Sequence, residues 1–258
     1  MLSRRSLAIA QCGTRLLLSD PAPLVAMMLM PLLLTAFLLP SAKAQLQAAD
    51  FAHATGAEQL VPGMAVMFAF MMGMNLVATL FYREHAWGTW ERVRAGSTST
   101  LDLVLGKTAP LYAFLLAQMA ILFVIGRLFF GFDPNGSLLA LALVAAAFVA
   151  SLVAFGVMLV ATCSTLDQVL MFGNLGGMIM SGIGGALAPA SSLPGWAQWL
   201  AHGTPPYWAL NAFRDISLEG AGVTQTAGSM AILLAFALAF TGIAALRFRP
   251  ADPKVGTT

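Results

Sequence analysis

The sequence predicts an all-α integral membrane protein with six transmembrane helices. Three observations lead there. First, 59% of the residues are hydrophobic and 9% are charged, whereas soluble domains carry about 25% charged residues. Second, the mean hydropathy is +0.82, so a soluble chain of this length would expose oily surface everywhere. Third, the apolar residues gather into six runs, and about 20 apolar residues suffice to cross the hydrocarbon core. The whole chain, 1–258, reads as one membrane domain.

Residues 1–20 read as an amphipathic interfacial helix. Arg4, Gln11 and Arg15 fall on one helical face, with Ile9, Leu16 and Leu17 largely elsewhere. The pair Pro21 and Pro23 ends it. Residues 24–39 form TM1, a short run with Pro31 inside. The same stretch has a second reading as a secretory signal. It has a basic start, an apolar run and then Ser41-Ala42-Lys43-Ala44, and a mature chain beginning at Gln45 would lack TM1.

A polar loop, 40–60, leads to TM2 at 60–81, which carries Met64, Met67, Met71, Met72 and Met74 and no charge. TM3 spans 108–130. The link Phe132–Ser137 has the Asp-Pro-Asn-Gly composition of a tight turn. TM4 spans 138–162 and TM5 168–187, the latter with Gly173 and Gly177 at a spacing that allows close helix contact. Residues 189–222 form an external re-entrant or interfacial segment rich in Pro and Trp, and TM6 spans 226–246.

Between TM2 and TM3 lies a charged island, Tyr82–Gly96. Glu84 and Glu91 are one heptad apart and share a helical face. Trp87, Trp90 and Arg94 make the neighbouring face. This reads as a short helix at the membrane surface.

Lysine and arginine placement sets the topology. With the N-terminus inside, the inner segments hold ten (Arg4, Arg5, Arg15, Arg83, Arg92, Arg94, Lys107, Arg247, Arg249, Lys254) and the outer ones three (Lys43, Arg127, Arg214). Both termini and the island are therefore expected in the cytoplasm. Cys12 and Cys163 are expected as free thiols.

In the island REHAWGTWERVRAGSTSTLDLVLGK, an acidic residue and Gly-Thr precede Glu-Arg. In the later stretch LPGWAQWLAHGTPPYWALNAFRDISLEG, Leu-Pro and Trp precede a Pro-x-Tyr-Trp-like run. With these two motifs and the amphipathic N-terminus, the chain resembles the permeases of the ABC-2 type transporter family. These are type V exporters with drug-efflux, polysaccharide-export and nodulation-factor members. The resemblance implies that 82–96 is a coupling helix docking on a separate ATP-binding subunit, with Glu84, Gly88, Thr89, Glu91 and Arg92 in contact. Trp87, Trp90 and Arg94 would complete the coupling set and tie it to the bundle. It implies that Trp196, Trp199, Pro205, Tyr207, Trp208 and Arg214 belong to an external gate. It also implies a second permease chain, in a homodimer, and a prokaryotic plasma (inner) membrane.

Other residues carry blander and sharper readings together. Asp167 and Gln168 cap TM5 or make a second ATPase contact. Asn75, Gln118 and Asn174 bond neighbouring helices or line a substrate path. Gly173 and Gly177 form a packing face, read also as a dimer face. Gly106-Lys107-Thr108 resembles the end of a phosphate loop, but Leu101 stands where the first glycine is required. Lys107 then marks the inner end of TM3.

No cofactor is expected in this chain, with ATP and Mg bound by the partner ATPase. The charge balance of +2 gives no case for nucleic acid. No protease, paired-carboxylate or HExxH constellation occurs within the spans, so no catalytic site is expected. The expected function is ATP-driven export of a hydrophobic or amphipathic substrate. The rival is an ion-coupled secondary transporter, which would usually show intramembrane charges and internal repeats.

Overall fold

The structure, a computed structural model, describes residues 9–15, 22–48, 51, 53–86 and 100–247. Among these, every regular element is a helix. We label the longer ones α1 Ala22–Ala48, α2 Ala57–Ala86, α3 Thr100–Phe130, α4 Leu138–Thr162, α5 Leu166–Ile183, α6 Gly195–Ala201, α7 Pro205–Glu219 and α8 Val223–Arg247. Residues 9–15 are also helical.

Five helices are long and apolar enough to cross a membrane: α1, α2, α3, α4 and α8. The expected TM5 is the difference. Its helix is 18 residues long, and Asp167, Gln168 and Asn174 dilute its hydropathy. It also ends at Ile183, short of the expected 187. Gly184 and Gly185 follow, and Gly185 takes φ +105°, which breaks the helix.

Three other boundaries move for physical reasons. The first span continues through Ala48, so 40–48 is helix rather than loop. Ala42 and Leu46, one turn apart, are buried, and Ala42 packs with Leu60, Met64 and Phe68 of α2. The helix also runs unbroken through the Ala42–Ala44 signal-like site. At its C-terminal end, α2 extends to Ala86 and takes in Tyr82, which is buried. Tyr82–Ala86 thus prolongs the membrane helix and is not a separate surface helix. Likewise α3 starts at Thr100, with Asp102 in its first turn favouring the positive end of the helix dipole.

Helix α2 is the centre. It packs against α1, α3, α4, α5 and α7, and 78% of its apolar window is buried, against 11% for α8 and 17% for α1. An aromatic chain crosses the core: Phe70 meets Phe148 and Phe155 at 5.9 Å, and Phe155 meets Phe240 at 5.3 Å. Large side chains on the outer helices, such as Phe37, Leu128, Phe129, Leu238 and Leu246, stay exposed. In water that surface would drive aggregation, and in a bilayer it faces lipid.

Gly173 and Gly177 let α5 close onto α2. A Cβ at Gly177 would sit 2.7 Å from the Phe70 ring, and one at Gly173 would collide with Met74. Their face is therefore covered within the chain, which corrects its reading as a dimer face. The link before α4 is docked as well: Gly136 N–H donates to the Ile216 carbonyl at 2.9 Å and Ser137 N–H to that of Ala221 at 3.3 Å. Ser137 then caps α4 by accepting from Ala140 N–H at 3.3 Å.

Candidate functional site

One end of the bundle is built on the last turns of α2 and the first turns of α3. Lys107 is buried, contrary to its reading as a mere end marker. Its ammonium donates to the Leu80 carbonyl at 2.7 Å and lies 5.0 Å from the Phe81 ring centroid, a cation–π placement. Two residues on, the Tyr82 hydroxyl donates to the Cys163 carbonyl at 3.3 Å. That ties α2 to the corner between α4 and α5. The N-terminal helical segment seats here too, since a Cβ at Gly13 would touch Leu80 and Pro110, each at 3.4 Å.

Of the coupling set, Glu84 lies on α2. Trp87, Gly88, Thr89, Trp90, Glu91, Arg92 and Arg94 lie outside the described residues. The described helices frame that segment: α2 leads into it, α3 leads out, and Lys107 joins the two at its base.

At that corner Gln168 does the work of a cap. Thr165 accepts from Gln168 N–H at 3.3 Å, and the Gln168 side chain accepts from Ser164 N–H at 3.1 Å. This reciprocal pair resembles a capping box. Asp167 is exposed in the first turn, where the helix dipole favours an acid.

The three amides Asn75, Gln118 and Asn174 sit on three helices, α2, α3 and α5. Asn75 donates within α2 to the Met71 carbonyl at 2.7 Å. Asn174 lies next to the Gly173–Met74 contact, with Oδ1 buried and without a hydrogen-bond partner. Gln118 on α3 is 0% exposed, and both ends of its amide lack a partner. Gln118 is thus wholly enclosed by the chain in this conformation.

A second feature is an aromatic corner between α6 and α7. Trp196 and Trp199 are exposed while Ala197 and Ala201 are buried, so α6 packs on its alanine face with its indoles outward. Pro205 and Pro206 open α7, where a missing N–H costs nothing. His202, absent from the expected gate residues, organises the corner. Its Nδ1 is 2.7 Å from the Gln198 carbonyl, which can only accept, so Nδ1 carries the proton. Nε2 then accepts from the Tyr207 hydroxyl at 3.0 Å, and Trp208 Nε1 donates to the His202 carbonyl at 2.9 Å. The sequence signal was a histidine five residues before Tyr207 across a Gly-Thr-Pro-Pro turn.

Further along α7, the Arg214 guanidinium stands 5.7 Å from the Phe51 ring centroid. Burial pushes the Asp215 carboxyl above the usual carboxylate range. The Glu219 charge adds to this and Arg214 opposes it. Among the described residues, no cluster of His, Cys, Asp or Glu is arranged to hold a metal ion.

The comparisons agree with this architecture. The family model described as ABC-2 type transporter matches residues 8–218. The linearmycin resistance permease protein LnrN of Bacillus subtilis (strain 168) is 28% identical over 198 residues, covering 76% of this chain and 51% of that protein. ABC transporter G family member 20 of Dictyostelium discoideum is 29% identical over 168 residues, covering 64% of this chain and 22% of that protein. The chain thus spans about half of the first relative and about a fifth of the second. No solved structure matches it. With its family match running from the N-terminal helical segment to the end of α7, this multi-pass membrane chain belongs to the ABC-2 type transporter family.

Proposed function

We propose that the chain is the membrane-spanning permease subunit of an ATP-driven ABC exporter. It moves a hydrophobic or amphipathic substrate out of the cytoplasm, driven by a separate ATP-binding subunit. The observation that carries the reading is the inner framework. Two long helices, α2 and α3, are joined by Lys107 at the base of the 87–99 segment, in a chain of this family. A charged segment held this way is suited to receive force and pass it on. One relative is named for linearmycin resistance, a name that supports export as the direction.

In this reading α5 is the sixth span. Its 18 residues cover about 27 Å at 1.5 Å per residue, close to the hydrocarbon thickness of about 30 Å. Both termini lie in the cytoplasm of a prokaryotic cell, following the charge bias. The chain works with a second permease copy and has no catalytic site or cofactor of its own. ATP and Mg are bound by the partner, which docks at 82–96, with Asp167 as an outlying contact. The α6–α7 corner closes the exit.

The test is a pair of substitutions in the segment, Gly88→Pro and Glu91→Lys, with transport and ATPase stimulation measured in membrane vesicles. Both functions are expected to be lost while the protein stays in the membrane. Survival of both in both variants removes the coupling role. Transport driven by an ion gradient without ATP would favour the secondary-transporter reading.

A further inference from the structure

Two cavities meet at the outer ends of α3 and α4. One is an apolar groove of about 460 Å³, lined by Leu116, Ala120, Phe123, Val124, Leu141 and Ala142. Arg127 stands at its end. The other is a polar hollow of about 630 Å³ whose lining includes Glu58, Asp133, Asn135 and Ser217. Between them runs one ion pair, Arg127 Nη2 to Asp133 Oδ1 at 3.0 Å, with both side chains more than half exposed. The Ser217 hydroxyl is buried on the hollow's wall without a partner.

This sequence of surfaces is apolar slot, guanidinium, carboxylate and polar hollow. A phospholipid with a primary ammonium headgroup presents matching groups in the same order. We infer that the α3–α4 groove holds one acyl chain of a zwitterionic aminophospholipid, with its phosphate on Arg127 and its ammonium on Asp133. The guanidinium fork matches phosphate oxygens. The carboxylate accepts from an N–H donor, and Glu58 adds negative charge on the same side. A headgroup with phosphate alone would place its charge beside Asp133 and be repelled. A quaternary ammonium offers no N–H to Asp133. The groove's size falls within the range of about 300–1,000 Å³ usual for small-molecule sites, and its exposed mouth faces the hydrocarbon. The inference needs only the membrane-spanning fold, so it stands or falls separately from the exporter reading.

The test is native mass spectrometry of the full chain in mild detergent. The probes are phosphatidylethanolamine, phosphatidylglycerol and phosphatidylcholine with matched acyl chains. The wild-type protein is expected to retain phosphatidylethanolamine over the others by about tenfold, on the order of one charge-assisted hydrogen bond. Asp133→Asn should erase the preference for the ammonium, and Arg127→Gln should release all three lipids. Ala142→Phe, at an exposed position, should fill the groove and expel the lipid with both charges intact, so it carries the test even if a charge variant folds poorly. Equal retention of the three lipids by wild type, or retention unchanged in Ala142→Phe, overturns the inference. So does efficient cross-linking of two copies through Val124→Cys, which would mean that a second chain covers the groove.

Discussion

The Lys107 ammonium donates to the Leu80 carbonyl at 2.7 Å, so α2 and α3 are joined at the base of the segment they frame. Lys107→Met keeps the stem and removes the donor. Hydrogen bonds to charged groups contribute about 1.5–3 kcal/mol, and about 1.4 kcal/mol is a factor of ten. Transport is expected to fall about tenfold or more, with membrane abundance unchanged. Vesicle transport beside a membrane immunoblot checks this. Full activity in Lys107→Met would show that the joint transmits nothing.

The α5 glycines should separate by position. Gly177→Leu must displace the Phe70 ring, 2.7 Å from the first added carbon. Overpacking of this kind costs about 1–3 kcal/mol. Gly182 also lies in α5, yet nothing in the chain is within 4 Å of a Cβ there. Gly182→Ala is expected to stabilise by up to about 1 kcal/mol through helix propensity. Heating followed by size-exclusion chromatography reads both, and equal effects at the two sites would refute the packing assignment.

Tyr207→Phe removes the donor to His202 Nε2 and leaves the rings packed at 4.4 Å between centroids. The cost is about 0.5–1.5 kcal/mol, confined to the α6–α7 corner. Faster hydrogen exchange in 195–210 is the expected result, with α4 unchanged. Uniform loss of protection along the chain would mean that the corner is not an independent unit.

Asp215 supplies the pH dependence. Its folded carboxyl titrates above the ordinary value of 3.8, so the folded state binds the proton more tightly than the unfolded state does. Stability from this group is full below 3.8 and is lost as pH rises through the raised folded value. Asp215→Asn should remove that decline. Melting curves across the acidic range, compared with wild type, decide the matter, and a parent and variant with parallel profiles would exclude it.

Much of this was legible in the residues. The Pro- and Trp-rich composition of 189–222 marks the short helices there, and Asn135-Gly136-Ser137 marks the start of α4. What escaped reading depended on distance through space or on a stripe hidden among polar residues. The true end of α1 belongs to the second kind. Thr35, Ala42 and Leu46 are all buried at helical spacing, but Lys43, Gln45 and Gln47 beside them lower the hydropathy that defined the shorter span. Lys107 belongs to the first kind. A lysine ending an oily run looks like an interface anchor, and only the fold brings the Leu80 carbonyl within reach. The coupling residues from Trp87 to Arg94 lie outside the described residues, so for them the reading rests on sequence and family.

Near the start of α2, the Gln59 amide donates to the Gly185 carbonyl and Gly63 admits the Ala186 backbone. The same helix, α2, carries the Leu80 joint to Lys107 near its other end. Its 30 residues make a rod of about 45 Å at 1.5 Å per residue. A rod pinned at both ends has no slack in time. If the rod moves as one body, a displacement of Leu80 reaches Gly185 in the same event. A single cross-link at either pin should therefore silence both.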